Sequence, residues 1–196
     1  MLNLLALSAI EIVAIVGAVV MFLAIVFLIW YIACYNGLLR LRNTVEEAWA
    51  TIDVHLKKRY DLIPNLVNTV KGYAAHERGT LEAVINARNL AMTATGEDKI
   101  AAENALSGTL RSLFALQEAY PDLKANANFT QLQTQLQNIE AELANARKYY
   151  NATVKALNTK IDVFPSNIVA RRMRLVKRNF FELDSAEERK APEVKF

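Results

Sequence analysis

No charged residue occurs between Ile12 and Leu39, and "IVAIVGAVVMFLAIVFLIWYIACY" fills most of that interval. As a helix, the run is long enough to cross a hydrocarbon core of about 30 Å. Trp30, Tyr31 and Tyr35 gather at one end of it, as an interfacial aromatic belt does. Two rival readings are weaker. A cleaved signal peptide needs a basic leading region, and the only charge ahead of the run is Glu11. "YIAC" loosely resembles a lipidation signal at Cys34, but Tyr31 and the missing leading charge argue against it. We read an uncleaved anchor, residues 1–35. Arg40, Arg42, Lys57, Lys58 and Arg59 follow the run, and no Lys or Arg precedes it. That asymmetry predicts a single-pass protein of the cell (inner) membrane, with its N-terminus outside and its bulk in the cytoplasm.

Beyond the anchor the composition favours helix. Six Gly and four Pro in 196 residues leave little material for a loop-rich or hairpin-rich fold, and Ala, Leu, Asn, Glu and Gln dominate. One Cys excludes an intramolecular disulfide. The net charge is only +3, so local basic clusters matter more than the total.

Apolar residues recur at spacings of three and four, which predicts amphipathic helices. A first stripe runs Leu38, Leu41, Val45, Trp49, Ile52, Leu56 and Tyr60. A second runs Ile63, Val67, Val70 and Ala74, then Leu81, Val84 and Ala91. "TATGED" at 93–98 reads as a loop, and a third stripe follows at Ile100, Leu106, Leu110, Leu113 and Leu116. Pro121 interrupts it, and Asn126 and Asn128 are good helix N-caps. The fourth stripe is the most regular: Phe129, Leu132, Leu136, Ile139, Leu143, Ala146 and Tyr150. After a stutter it continues through Val154, Leu157, Ile161 and Phe164, and "FPSN" stops it.

"KKRYDLIPNLVNTVKGY" at 57–73 admits two geometries. The chain can reverse there, with Lys57, Lys58 and Arg59 closing one helix, Asp61 capping the next and Pro64 in its first turn. Alternatively one long helix runs on through Pro64 with a kink, since the stripe keeps its phase across the proline. The reversal is the preferred expectation. It gives an all-α fold of four antiparallel up-and-down helices, near 36–60, 62–94, 98–120 and 129–164. The alternative is three helices, the first long and kinked. In either case the bundle covers 36–167.

The remaining segment, 168–196, contains "IVARRMRLVKRNFF". Arg171, Arg172, Arg174, Lys177 and Arg178 interleave there with apolar residues, and no acid lies between Asp162 and Glu182. Such a segment suits an anionic membrane surface, while a solvated basic end capping the bundle is the plainer alternative. Four passes bring it back to the membrane side.

"YNGLLRLRNTVEEAWATIDVHLKKRYDLIPNLVNTVKGYAAHE" at 35–77 resembles the hallmark region of the LemA family. "AYPDLKANANFTQLQTQLQNIEAELANARKYYNATVKALNTKIDVFPSNIVA" at 119–170 resembles that family's second half. With the anchor, the resemblance extends from residue 12 to about 170. It implies a bacterial helical bundle on one N-terminal membrane helix, in a family with no established enzymatic activity. It also implies an association with membrane shaping in some members and with membrane proteolysis or stress in others. The chain departs from the pattern at His55, where Gln is usual, and in its unusually basic end.

Site chemistry is sparse. His55 and His76 are the only histidines, and "HERG" lacks the second His of a zinc-protease motif. No glycine-rich phosphate loop or Cys/His cluster occurs, and no serine has a nucleophile-elbow context. Asp53 and Asp61, with Arg42, Lys58, Arg59 and Arg147, are candidates for ion pairs between helices. Asn65, Asn68, Asn126, Asn128 and Asn151 read as caps or interhelical hydrogen bonds before they read as a ligand site. Tyr149 and Tyr150 read as core or groove residues. Basic residues do not alternate with aromatics on a face away from the membrane, so no nucleic acid is expected as partner. The expectation is a non-enzymatic, cofactor-free scaffold that self-assembles into homo-oligomers and contacts membrane lipids. An adaptor that recruits or regulates another membrane protein, such as a protease, is the alternative.

Overall fold

The computed structural model describes residues 9–181, in which every regular element is helical. Residues 1–8 of the anchor segment and 182–196 of the tail lie outside the described residues. The helices are α1 (Ala9–Lys71), α2 (Arg78–Thr93), α3 (Gly96–Ala115), α4 (Pro121–Lys124), α5 (Ala127–Asp162) and α6 (Ser166–Arg172). The described chain divides into two units. One takes in 9–44 with 155–177, the other 45–154 with 178–181.

α1 is one helix of 63 residues and contains Pro64. It is the one described helix long and apolar enough to cross a membrane. The expected reversal at Asp61 does not occur. Asp61 is exposed within the helix and pairs with Lys57 one turn back at 3.1 Å. Arg59 closes no helix end and is fully buried instead. The chain turns about ten residues later, over 72–77, where Tyr73 and Ala74 N–H groups both donate to the Val70 carbonyl.

The continuous helix has a specific repair. Proline has no N–H, so Pro64 cannot serve the carbonyl four residues earlier, that of Tyr60, and such an interior proline costs about 3 kcal/mol. Arg88 on α2 supplies the missing donor: its Nε donates to the Tyr60 carbonyl at 2.8 Å. The Pro64 ring itself faces outward.

The second unit packs four helices against one another, α1, α2, α3 and α5. Along α1 and just past its end, Trp49 meets Tyr150, His55 meets Glu142, Arg59 meets Glu140 and Tyr73 meets Asn126. Residue numbers rise on one helix as they fall on the other, so α1 and α5 are antiparallel. The stripes read from sequence form the interior: Ile52, Ile63, Val67 and Val70 on α1, Val84 on α2, Leu106 and Leu113 on α3, and Leu143 and Val154 on α5 are all buried. Two residues, Ala94 and Thr95, join α2 to α3. The turn closes because Gly96 adopts φ +62°, a left-handed conformation that glycine takes without strain. At α5 the structure selects one of the two expected caps, since the Phe129 N–H donates to the Asn126 side-chain oxygen at 2.9 Å. α5 runs through the stutter unbroken. Phe164, the last member of its stripe, falls beyond the helix end and is 74% exposed rather than buried.

The Arg88 contact is testable as a coupling. Arg88→Ala is expected to destabilise by about 1–3 kcal/mol, because it orphans the Tyr60 carbonyl. In a Pro64→Ala background, where residue 64 again offers an N–H, urea denaturation is expected to show a clearly smaller loss. Equal losses in both backgrounds would break the link.

Candidate functional site

Two arrangements concentrate charged side chains, one in each unit. The first is built on α6. The Ser166 hydroxyl donates to the Lys160 carbonyl at 2.7 Å, an acceptor left open where α5 ends, and lies 2.9 Å from that of Val163, which also accepts from the Asn167 N–H. α6 then presents Val169 and Ala170 to Leu38 of α1 as a buried cluster. Trp30, Tyr31, Cys34, Ile161, Met173 and Leu175 pack around it. The helix ends in a paired closure: Leu175 N–H donates to the Ala170 carbonyl at 3.1 Å and Arg174 N–H to Arg171 at 3.0 Å. Arg174 holds φ +54° in that closure, a left-handed conformation that costs a non-glycine residue about 1 kcal/mol. A glycine would fit without strain, so a charge is kept there at a conformational cost.

Of the five expected contact residues, this unit brings together Arg171, Arg172, Arg174 and Lys177. The three arginines are exposed, while Lys177 pairs with Asp162 at 2.7 Å. Arg178 belongs to the other unit, where it faces Glu46 at 3.7 Å. Beyond it the chain is held on α1 and α5. Asn151 exchanges two hydrogen bonds with the backbone of Phe181, at 2.8 and 3.0 Å. The Phe181 ring is buried against Trp49 and beneath the Arg147 guanidinium, 4.4 Å from its centroid. Asn151 is thus a clamp on the tail, and Tyr150 assists by donating to the Asn179 carbonyl at 3.1 Å. Tyr149 is exposed.

The second arrangement lies in the interior of the four-helix unit. Arg59 donates to Glu103, to Glu140 at 2.5 Å and to the Ser107 hydroxyl at 3.0 Å. The Tyr60 hydroxyl donates to Glu103 and accepts from Lys99 at 3.0 Å. Lys99 also donates to the Ala91 carbonyl at 2.8 Å. Arg59 and Glu103 are both wholly buried. Burial, reinforced by the Glu103 carboxylate, raises the Tyr60 phenol well above the ordinary tyrosine value and keeps it protonated as a donor. Burial likewise raises Asp53, partly opposed by Lys99.

Sequence reading named Arg59 as an interhelical partner but not its acids. Glu103 falls within the apolar stripe of α3, three residues after Ile100 and three before Leu106, and an acid in that register was the available signal. Asp61, the other candidate, pairs within its own helix. Chemically the cluster sets two carboxylates against two cations, which suits fixing helix register better than moving a proton. His55 faces Glu142, and His76 sits exposed in the 72–77 turn. Among the described residues no three His, Cys, Asp or Glu side chains converge to hold a metal ion.

The family model described as the LemA family matches residues 48–196. Over 167 residues the chain is 26% identical to Protein LemA of Metamycoplasma hominis, covering 83% of this chain and 75% of that relative.

The buried phenol gives a pH dependence. Below the ordinary tyrosine value of 10.0 both folded and unfolded chains keep the proton, so Tyr60 contributes no slope. Above it the unfolded chain releases a proton that the folded one retains, and stability falls as pH rises. Chemical denaturation from neutral to strongly alkaline pH is expected to show that fall. In Tyr60→Phe the fall should be shallower but not abolished, because burial raises Tyr150 as well.

Proposed function

The chain belongs to the LemA family, and on that premise we propose that it is a membrane-anchored helical scaffold whose basic end engages the surface of the same membrane. The observation that carries the reading is the packing of α6 on Trp30, Tyr31, Cys34 and Leu38, where the charge-free run of α1 ends. Arg171, Arg172 and Arg174, which follow Val169 and Ala170 of that packing in sequence, are exposed. A basic residue near an anionic leaflet contributes about 1 kcal/mol. The strained backbone of Arg174 supports the same reading, since the position retains charge where glycine would relax it.

The Arg and Lys residues following the run support an orientation with the bundle in the cytoplasm and the N-terminus outside. Self-association is part of the proposal. Helices whose interior is already filled by their own stripes would assemble through outer faces. The second reading, an adaptor for another membrane protein, draws on Ile85 and Met92, two exposed apolar residues seven apart on α2. A photo-crosslinker at Ile85 in intact membranes distinguishes the two. Capture of a second copy supports the scaffold, and capture of a different membrane protein supports the adaptor.

Trypsin reads the surface contact directly in full-length protein reconstituted into vesicles. Cleavage after Arg171, Arg172 and Arg174 is expected to slow in anionic vesicles relative to neutral ones. At about 1 kcal/mol per arginine the effect reaches roughly a hundredfold, and high salt should reverse it. Arg174→Gly is expected to raise stability by about 1 kcal/mol while weakening protection of the two neighbouring sites. Equal cleavage in both lipids would sink the contact.

A further inference from the structure

The turn between α5 and α6, together with the start of α6, carries apolar side chains that the fold leaves uncovered. Val163 is 51% exposed, Phe164 74% and Ile168 57%. They sit two to seven residues beyond Ile161, which packs on the cluster formed with Trp30, Tyr31, Cys34 and Leu38. Both the turn and that cluster belong to the same unit. Phe164 is also out of keeping with its own stripe, whose preceding members Val154 and Leu157 are fully buried. The helix stops short of Phe164 because the Val163–Pro165 turn intervenes, and the ring projects outward instead.

We propose that Val163, Phe164 and Ile168 form an apolar wedge that enters the lipid interface beside α1, a second attachment distinct from the arginine contact. The occupant is lipid rather than protein for three reasons. Ile161 shares its cluster with α1 residues of the charge-free run, so the turn lies alongside a segment that is itself apolar and exposed. The flanking charges are Lys160, Arg171 and Arg172, which match anionic headgroups around an inserted apolar tip. The nearest acid, Asp162, is paired with Lys177 at 2.7 Å and so presents little repulsion to such a surface. Wedge insertion spreads headgroups on one leaflet only, which gives a scaffold a direct means of bending the membrane it sits on.

The inference rests on α1 being the anchor, and the experiment keeps the two apart. In a Cys34→Ser background, an environment-sensitive fluorophore is attached to Val20→Cys, Phe164→Cys or Tyr149→Cys of the full chain. Each protein is reconstituted into phosphatidylcholine vesicles with and without acyl-chain-brominated lipid. At position 164, blue-shifted emission that bromine quenches, as at position 20, with neither effect at 149, is the expected result. Quenching at 20 but not at 164 overturns the wedge and leaves the anchor standing. Loss of quenching at 20 overturns the anchor, and the wedge with it. A blue shift at 164 without quenching means that protein covers Phe164, and it overturns the proposal as well. Because the contact is apolar, quenching at 164 should persist in these neutral vesicles, where the arginine contact is weak.

Discussion

Arg59 carries a full positive charge into an interior with no exposure, and it does so among helices whose other buried groups are almost all apolar. Isolated, that charge would cost far more than any single packing contact returns. It is tolerable only where Glu103 of α3 and Glu140 of α5 stand on either side of it, with Tyr60 and Lys99 completing the set around Glu103. A slip of α3 or α5 by one turn would leave charges facing aliphatic side chains. The apolar stripes, being nearly periodic, tolerate such a slip far better. The ionic cluster therefore turns a bundle that could pack in several registers into one that packs in a single register.

The same stretch of α1 contains the helix's weakest point, one turn away. Pro64 removes the donor for the Tyr60 carbonyl, and Arg88 returns it from α2. Tyr60 is thus held at both ends. Its backbone depends on α2, and its hydroxyl depends on α3 and Lys99. Removing α2 would weaken α1 and the ionic cluster together, so the α2–α3 hairpin acts as a brace and more than as filler.

These features divide by how locally they are encoded. The stripes were legible because burial imposes a period of three and four wherever a helix has one buried face, and most stripe residues are indeed buried, with others such as Leu41, Trp49 and Leu132 half-buried at its edge. The Asn126 cap was legible because its chemistry lies within three residues of its partner. The course of the chain through 57–73 was not. A proline beside an Asp imitates a helix start, and the stripe keeps phase whether the chain bends or continues. What decides the matter is an arginine 28 residues away from the carbonyl it serves, which no local pattern reveals. The chain does reverse, but at the 72–77 turn, after α1 has run through both Asp61 and Pro64. Phe164 failed for the opposite reason: it obeys the period of α5 but lies beyond the end of the helix that would have buried it.

The antiparallel pairing of α1 with α5 also fixes an order of events during synthesis. Tyr60 meets Ala91 and Glu103 within some forty residues, so the brace can close over its part of α1 soon after it is made. Trp49 must wait for Tyr150. At roughly 5–20 residues per second, the hundred or so intervening residues take on the order of 5–20 s to translate. Throughout that interval Val45, Ile52 and Leu56, all buried in the finished protein, have no partner from α5. A ribosome paused before Tyr150 would hold a nascent chain whose Val45, Ile52 and Leu56 are still open to chaperones or to neighbouring chains.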